Sequence, residues 1–193
     1  CHLEDERHAV LELAKGKLTT DPKHHTGEGI FFTSRMLDDF AILSGDVHFT
    51  HKFGEEEDWI AQLEKPAAGT AVFMLLANDS SRTSQEIFES FASAKNDYGF
   101  NKTVVPVRLA RQGLEQLVSR SQAKRLLSRI DRFHIVIFDF ADVDSIGPAF
   151  ADEIFRVFAR AHPHIRLLDI NAASPVKQMI ARARTAAEEP PGT

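Results

Sequence analysis

The sequence predicts an α+β region followed by an α/β region, and three observations carry that division. Helical patterns give way to strand-like runs within residues 1–77, strands and helices alternate through residues 99–185, and Ile135-Val136-Ile137-Phe138 lacks polar alternation. Helices before consecutive strands suit an antiparallel sheet end, strict alternation suits a parallel sheet, and an unbroken apolar run suits a central strand covered on both faces.

In the first region Val10, Leu11 and Ala14 share one face of a helix that ends in the polar loop Lys15 to Thr26. A second helix is expected from Gly27 to Gly45, with Ile30, Met36, Leu37, Phe40 and Ala41 as its apolar stripe. Strands are expected at Val47 to Phe53, Trp59 to Glu64 and Thr70 to Ala77, separated by acidic and Pro/Gly-containing turns. The stretch Asn78 to Thr83 has no apolar period, so residues 78–98 read as a linker with a short helix at Ser84 to Phe91.

The second region is expected to run strand Thr103 to Leu109, helix Leu114 to Ile130, strand Ile135 to Phe140, helix Ala149 to Ala161, strand Ile165 to Ile170 and helix Val176 to Ala183. Pro148 suits the first helical turn after Gly147, because its missing N–H costs nothing there. Residues 186–193, ending Pro190-Pro191-Gly192-Thr193, read as a disordered tail.

Composition narrows the function. Acidic groups outnumber basic ones 28 to 23, for a formal charge of −5, which excludes wholesale binding to nucleic acid or an anionic membrane. No apolar run approaches the roughly 18 residues of a transmembrane helix. The lone cysteine, Cys1, excludes an internal disulfide and a cysteine-only zinc site, so a cytoplasmic location is expected. The start at Cys1 without a signal-like apolar core leads us to expect further sequence upstream.

One motif in the first region points to phosphate. Thr26-Gly27-Glu28-Gly29-Ile30 opens a helix, and glycines before a helix N-terminus let backbone N–H groups approach phosphate oxygens. A flexible turn and cap is the alternative reading. With Phe31 to Met36 the motif resembles the second glycine box of GHKL ATPases, and Gly69-Thr70-Ala71-Val72-Phe73-Met74-Leu75 resembles that family's last strand. The resemblance covers residues 1–77 and implies a partial ATPase sandwich.

In that resemblance Lys15 to Thr20 belong to the ATP lid, Lys15 or Lys17 meets phosphate charge, and Thr70 lies near the adenine pocket. An exposed basic loop is the other reading of either lysine. The family's asparagine motif for magnesium and its Asp-containing first glycine box are not found in the chain. ATP and Mg2+ are therefore expected of the complete protein, which would be at most a GHKL-type ATPase or protein kinase, and this chain is expected to bind nucleotide weakly or not at all.

In the second region Val118 to Leu127, Asp139-Phe140 and Ile146 to Phe158 resemble a bacterial STAS-like domain of unknown function often found after such ATPase domains. The resemblance implies a signalling regulator that acts on a protein partner. STAS antagonists of anti-sigma factors present a phosphorylatable serine where this chain has Pro148 and Ala149, with Ser145 just before and Ser119 and Ser121 opening another helix. Helix capping or solvent exposure is the alternative for each serine.

Arg120, Lys124, Arg125, Arg129 and Arg132 make one helix basic, so Arg120, Lys124 and Arg125, with Ser145 and Gly147, are candidates for partner contact. Asp139, Asp142 and Asp144 gather where open α/β sheets bind ligands, and either hold a cation or satisfy loop N–H groups. His48 and His51 are an odd number apart on a strand, and no metal site is expected. Two functions follow: an ATP-binding regulator whose GHKL domain controls the STAS-like domain, or a non-enzymatic interaction module with a vestigial nucleotide site.

Overall fold

A computed structural model of the protein describes residues 6–21, 23–55, 59–92, 99–111 and 115–188. They fall into two compact units, Cys1–Tyr98 and Gly99–Thr193.

The first unit contains α1 (Glu6–Lys15), α2 (Gly29–Met36), β1 (Asp39–Lys52), β2 (Trp59–Leu75) and α3 (Ser84–Ser90). The expected long second helix is shorter: α2 stops at Met36, Leu37 is extended at φ −95 and ψ 156, and Phe40 and Ala41 belong to β1. Apolar residues at Leu37, Phe40 and Ala41 fit a helical period, while Phe40 and Ile42 also fit a strand. Tertiary packing decides for the strand, because Phe40, Val47 and Phe49 then join Val10 in one buried cluster.

The second and third expected strands are one strand, β2, antiparallel to β1. Asp39 to Ser44 face Leu75 to Thr70 in reverse order, Gly45 faces Ala67, and Val47 to Thr50 face Gln62 to Trp59. The register shifts around Gly45 fall opposite the stretch that holds Pro66 and Gly69. Pro66 has no N–H for the ladder, and Gly69 takes a left-handed φ of 87°, so the chain bulges here without ending the strand.

Within the stretch 78–98, read from sequence as a linker with a short helix, residues 82–91 pack on this unit. Thr83 caps α3 in a reciprocal capping box with Glu86, and Phe88 and Phe91 meet Phe32 and Phe31 of α2 at ring separations of 4.3 and 4.8 Å. Arg82 pairs with Asp38 and lies 3.8 Å from the centre of the Phe53 ring. Among the described residues this unit is a two-stranded hairpin with helices, coarser than the ATPase sandwich that the sequence suggested.

The second unit contains β3 (Lys102–Pro106), α4 (Arg120–Leu127), β4 (Ile135–Asp139), α5 (Pro148–Asp152), α6 (Ala159–Ala161), β5 (Arg166–Ile170) and α7 (Ser174–Glu188). A π-helical turn, Glu153–Phe158, joins α5 to α6, and short 3-10 turns lie at Val107–Ala110 and Ile130–Arg132. The sheet is parallel with order β3-β4-β5, as the strand and helix alternation predicted.

In β4, Val136 and Phe138 are fully buried while Ile135 and Ile137 are half-buried. The second face of the central strand is thus less covered than its unbroken apolar run suggested. Phe138 meets Phe155 edge to face at 5.8 Å, and Leu126, Ile154, Val176 and Ile180 are among the residues buried with them.

The helix expected over Leu114 to Ile130 begins only at Arg120. Ser119 accepts from the Gln122 N–H and Gln122 reaches back to the Ser119 N–H, a capping box that starts α4, while Leu117 instead forms a parallel bridge to Ile146. Leu114 lies outside the described residues. Residues 186–188, expected in the tail, are the last of α7, and 189–193 lie outside the described residues. No helix among the described residues is long and apolar enough to cross a membrane.

Candidate functional site

The glycine turn of the first unit sits tightly against the loop before it. Gly27 has a left-handed φ of 77°, and a Cβ there would lie 2.6 Å from the Leu18 carbonyl oxygen and 2.7 Å from the Lys17 carbonyl carbon. Glycine is required here by close backbone approach as well as by conformation. Gly29 opens α2, and a Cβ there would have no neighbouring atom within 4 Å. Thr26 and Ile30 are exposed, and Glu28 is the N-cap without a side-chain cap bond.

The other residues expected around a nucleotide are dispersed. Lys15 turns inward, fully buried, with Nζ 2.6 Å from Glu12 Oε1, so its charge is neutralised inside the unit instead of facing an open lid. His8 Nε2 lies 3.6 Å from the same carboxylate. Lys17 is half-buried with φ 60°, and Thr70 Oγ1 lies 2.8 Å from Ser44 Oγ across the hairpin.

The second unit brings several charged side chains to one face. Arg120 Nη2 donates to Asp152 Oδ2 at 3.2 Å and its Nε lies 4.0 Å from Glu153 Oε2, while Lys124 Nζ lies 4.0 Å from Glu153 Oε1. Arg156 grips Asp152 with two hydrogen bonds, from Nε to Oδ1 and from Nη2 to Oδ2. A groove of about 310 Å³ opens beside this network, lined by Arg120, Asp152 and Arg182 together with Pro148, Ala149, Met179, Ala183 and Ala186.

Arg120 and Lys124 are thus surface cations, as expected, whereas Arg125 is buried and is not on that surface. The helical period explains the difference: Arg125 follows Lys124 by one position, about 100° around α4, and falls among Ala123, Leu126 and Leu127. Ser145 is exposed, and Ser119 serves as the α4 N-cap, with its Oγ 2.9 Å from Ser121 Oγ. Gly147 is buried, its N–H donates to the Leu117 carbonyl at 2.8 Å, and a Cβ there would lie 2.8 Å from Val118 Cα.

Of the three aspartates at the end of the central strand, Asp139 is held by hydrogen bonds. Asp139 Oδ1 accepts from the Ala141 N–H and from Asn171 Nδ2, both at 3.0 Å, and Asp142 lies 3.8 Å from Arg108 Nη1. Asp144 is exposed, and no group of three His, Cys, Asp or Glu among the described residues is placed to hold a metal ion.

Residues 122–177 match the STAS-like domain of unknown function (DUF4325). The match runs from α4 to the first turn of α7 and so contains β4, β5 and the helical segment between them. No curated protein and no solved structure matches the chain.

In this second unit, sequence reasoning misses the Asp152 and Arg156 pair and the groove-lining Met179 and Arg182. The four-residue spacing of Asp152 and Arg156 on a helix is a usable signal, since such positions are neighbours. Arg182 carries none, because α7 meets α5 only through the fold.

Asp152 also makes a pH-dependent contribution. The Arg156 hydrogen bonds, reinforced by the charges of Arg156 and Arg120, hold its carboxyl below its ordinary value of 3.8 against the opposing effect of burial. A depressed folded value means that the stabilisation is complete above the unfolded value and is lost as pH falls through the folded one. Asp152→Asn is expected to lower the stability of this unit by about 1–2 kcal/mol at pH 7. In denaturant titrations the gap between the two proteins should hold down to about pH 5 and narrow below the ordinary aspartate range.

Proposed function

We propose that the chain is part of a signalling regulator in which the STAS-like region docks a protein partner through the face formed by α4, α5 and α7. The groove beside Arg120 and Arg182 carries this reading. It combines an apolar floor of Ala149, Met179 and Ala183 with charged walls, the mixture that protein interfaces place at their anchor points. The family match supports a STAS-like domain here, and domains of that kind generally act as interaction modules.

Site-specific photocrosslinking in cells tests the docking. A compact aliphatic diazirine residue, about the size of leucine, at the groove-lining Ala186 should give a defined adduct that a bulky Ala149→Trp substitution removes. The same residue at exposed Lys177, nine positions earlier and so on the opposite side of α7, should give none. Equal adducts from both positions, or none from either, would sink the docking reading.

A second reading, that residues 1–77 contribute to an ATP site, is favoured by the open approach to Gly29 at the start of α2. In this reading the complete, cytoplasmic protein binds Mg-ATP, and the state of the glycine turn and the Lys17–Leu18 segment packed on it is passed to the partner-docking region. Calorimetry with Mg-ATP on this chain and on the longest natural form that contains it is the test. Binding by the longer form, weakened by a substitution at Gly29, is expected. Failure of both forms to bind leaves the docking module without nucleotide control.

A further inference from the structure

We propose that the groove of the STAS-like region selects an acidic amphipathic helix of the partner, an inference that rests on the docking reading above. The charge balance of the groove carries it. Its own carboxylate, Asp152, is occupied by the double hydrogen bond from Arg156 and by Arg120, and the neighbouring Glu153 is only 10% exposed and faces Arg120 and Lys124.

The cations are not matched in the same way. Arg120 and Lys124 keep 59% and 69% of their side-chain surface in solvent, and exposed Arg182 lines the groove without an ion pair among the described residues. Counting Arg120, Lys124, Arg156 and Arg182 against Asp152 and Glu153, the face holds two uncompensated positive charges. It does so on a chain whose formal charge is −5, so this surface runs against the sign of the whole.

The floor decides against a free anion. Pro148, Ala149, Met179, Ala183 and Ala186 offer small and aliphatic surface, which gains nothing from an ion and favours aliphatic side chains. Short side chains at Ala149, Ala183 and Ala186 also let a backbone approach closely. A helix with leucine or alanine on one stripe and glutamates beside it meets both the apolar floor and the arginine wall. Arg182 then takes a carboxylate in its planar fork, and Arg120 takes a second while still bonded to Asp152.

The test uses the full chain and a synthetic helical peptide with leucines and alanines on one face and glutamates flanking them, alongside a counterpart with lysines in place of the glutamates. Fluorescence anisotropy should show at least about tenfold tighter binding of the acidic peptide. Added salt should weaken it, because the screening length falls from about 10 Å at 0.1 M to about 3 Å at 1 M. Arg182→Glu should remove the preference, and Ala186→Trp, which fills the groove without changing charge, should remove binding.

Both substituted positions are exposed on α7, so unchanged thermal unfolding should accompany the loss. Equal affinity for the two peptides, or undiminished binding by Arg182→Glu and Ala186→Trp, would overturn the inference. Displacement of the peptide by inorganic phosphate at matching concentration would overturn it as well, by making the groove an anion site. Adducts at Ala186 without acidic-peptide binding would refute this inference alone, whereas the absence of adducts would remove the docking reading beneath it.

Discussion

Phe138→Ala is expected to cost about 3–5 kcal/mol and to unfold the second unit selectively. Phe138 is fully buried in β4, the middle strand of the sheet, where it pairs with Val105 on one side and Asp169 on the other, and its ring packs edge to face on Phe155 at 5.8 Å. Truncation removes the transfer free energy of the ring and leaves a cavity that the sheet, pinned by neighbours on both sides, closes only in part.

The readout must separate the units. The single tryptophan, Trp59, belongs to β2 of the first unit. Hydrogen exchange of peptides spanning residues 135–170 is the suitable measurement, with β2 peptides as the internal reference. Loss of protection confined to the second unit is the expected result. A change below about 1 kcal/mol would mean that Phe138 does not occupy the packed position described.

Gly147→Ala should cost about 1–3 kcal/mol, the usual penalty for forcing atoms into a filled space. The backbone of Gly147 is extended, at φ −81 and ψ 160, so no conformational strain is involved. Space is the cause: the new methyl would lie 2.8 Å from Val118 Cα and 2.9 Å from Val118 Cβ, on a segment fixed by the Gly147 N–H bond to Leu117 and by the bridge between Leu117 and Ile146. The start of α5 must then move away from the chain that leads into α4, which also deforms the groove between them.

The same substitution at Gly29 gives the control. Its added methyl meets nothing within 4 Å, and alanine is the better helix former, so Gly29→Ala should be neutral or stabilising by up to about 1 kcal/mol. Denaturant titrations of the two variants should differ in sign. Equal destabilisation by both would show that helix-start glycines are needed here for a shared backbone reason and not for the contact with Val118.

Much of the fold was legible because its signals are local. The alternation of strand and helix after residue 99 marks a parallel sheet since parallel neighbours need a crossover, and β3, β4 and β5 lie as expected in that order. The Ser119 and Thr83 capping boxes are likewise written within four residues. Where two periods overlapped, sequence misled: residues 37–41 fit a helix, and the strand is chosen by contact of Phe40 with Val10, thirty positions earlier. The break seen at Lys65-Pro66-Ala67-Ala68-Gly69 is a bulge within β2, because pairing with β1 carries the chain through residues that alone signal a turn.

For the sites, sequence by itself determined the chemical inventory: a glycine turn before a helix, a basic helix, and the aspartates Asp139, Asp142 and Asp144 at the end of the central strand. Tertiary structure alone decided which of those groups face water. It buried Lys15 against Glu12, placed Arg125 in the interior, packed Gly27 on the Leu18 carbonyl, and gathered Arg120, Asp152 and Arg182 from three helices around one groove. The physical reason is range. Backbone preferences and caps act over three or four residues, whereas burial and charge pairing depend on which distant segments the hydrophobic core brings into contact.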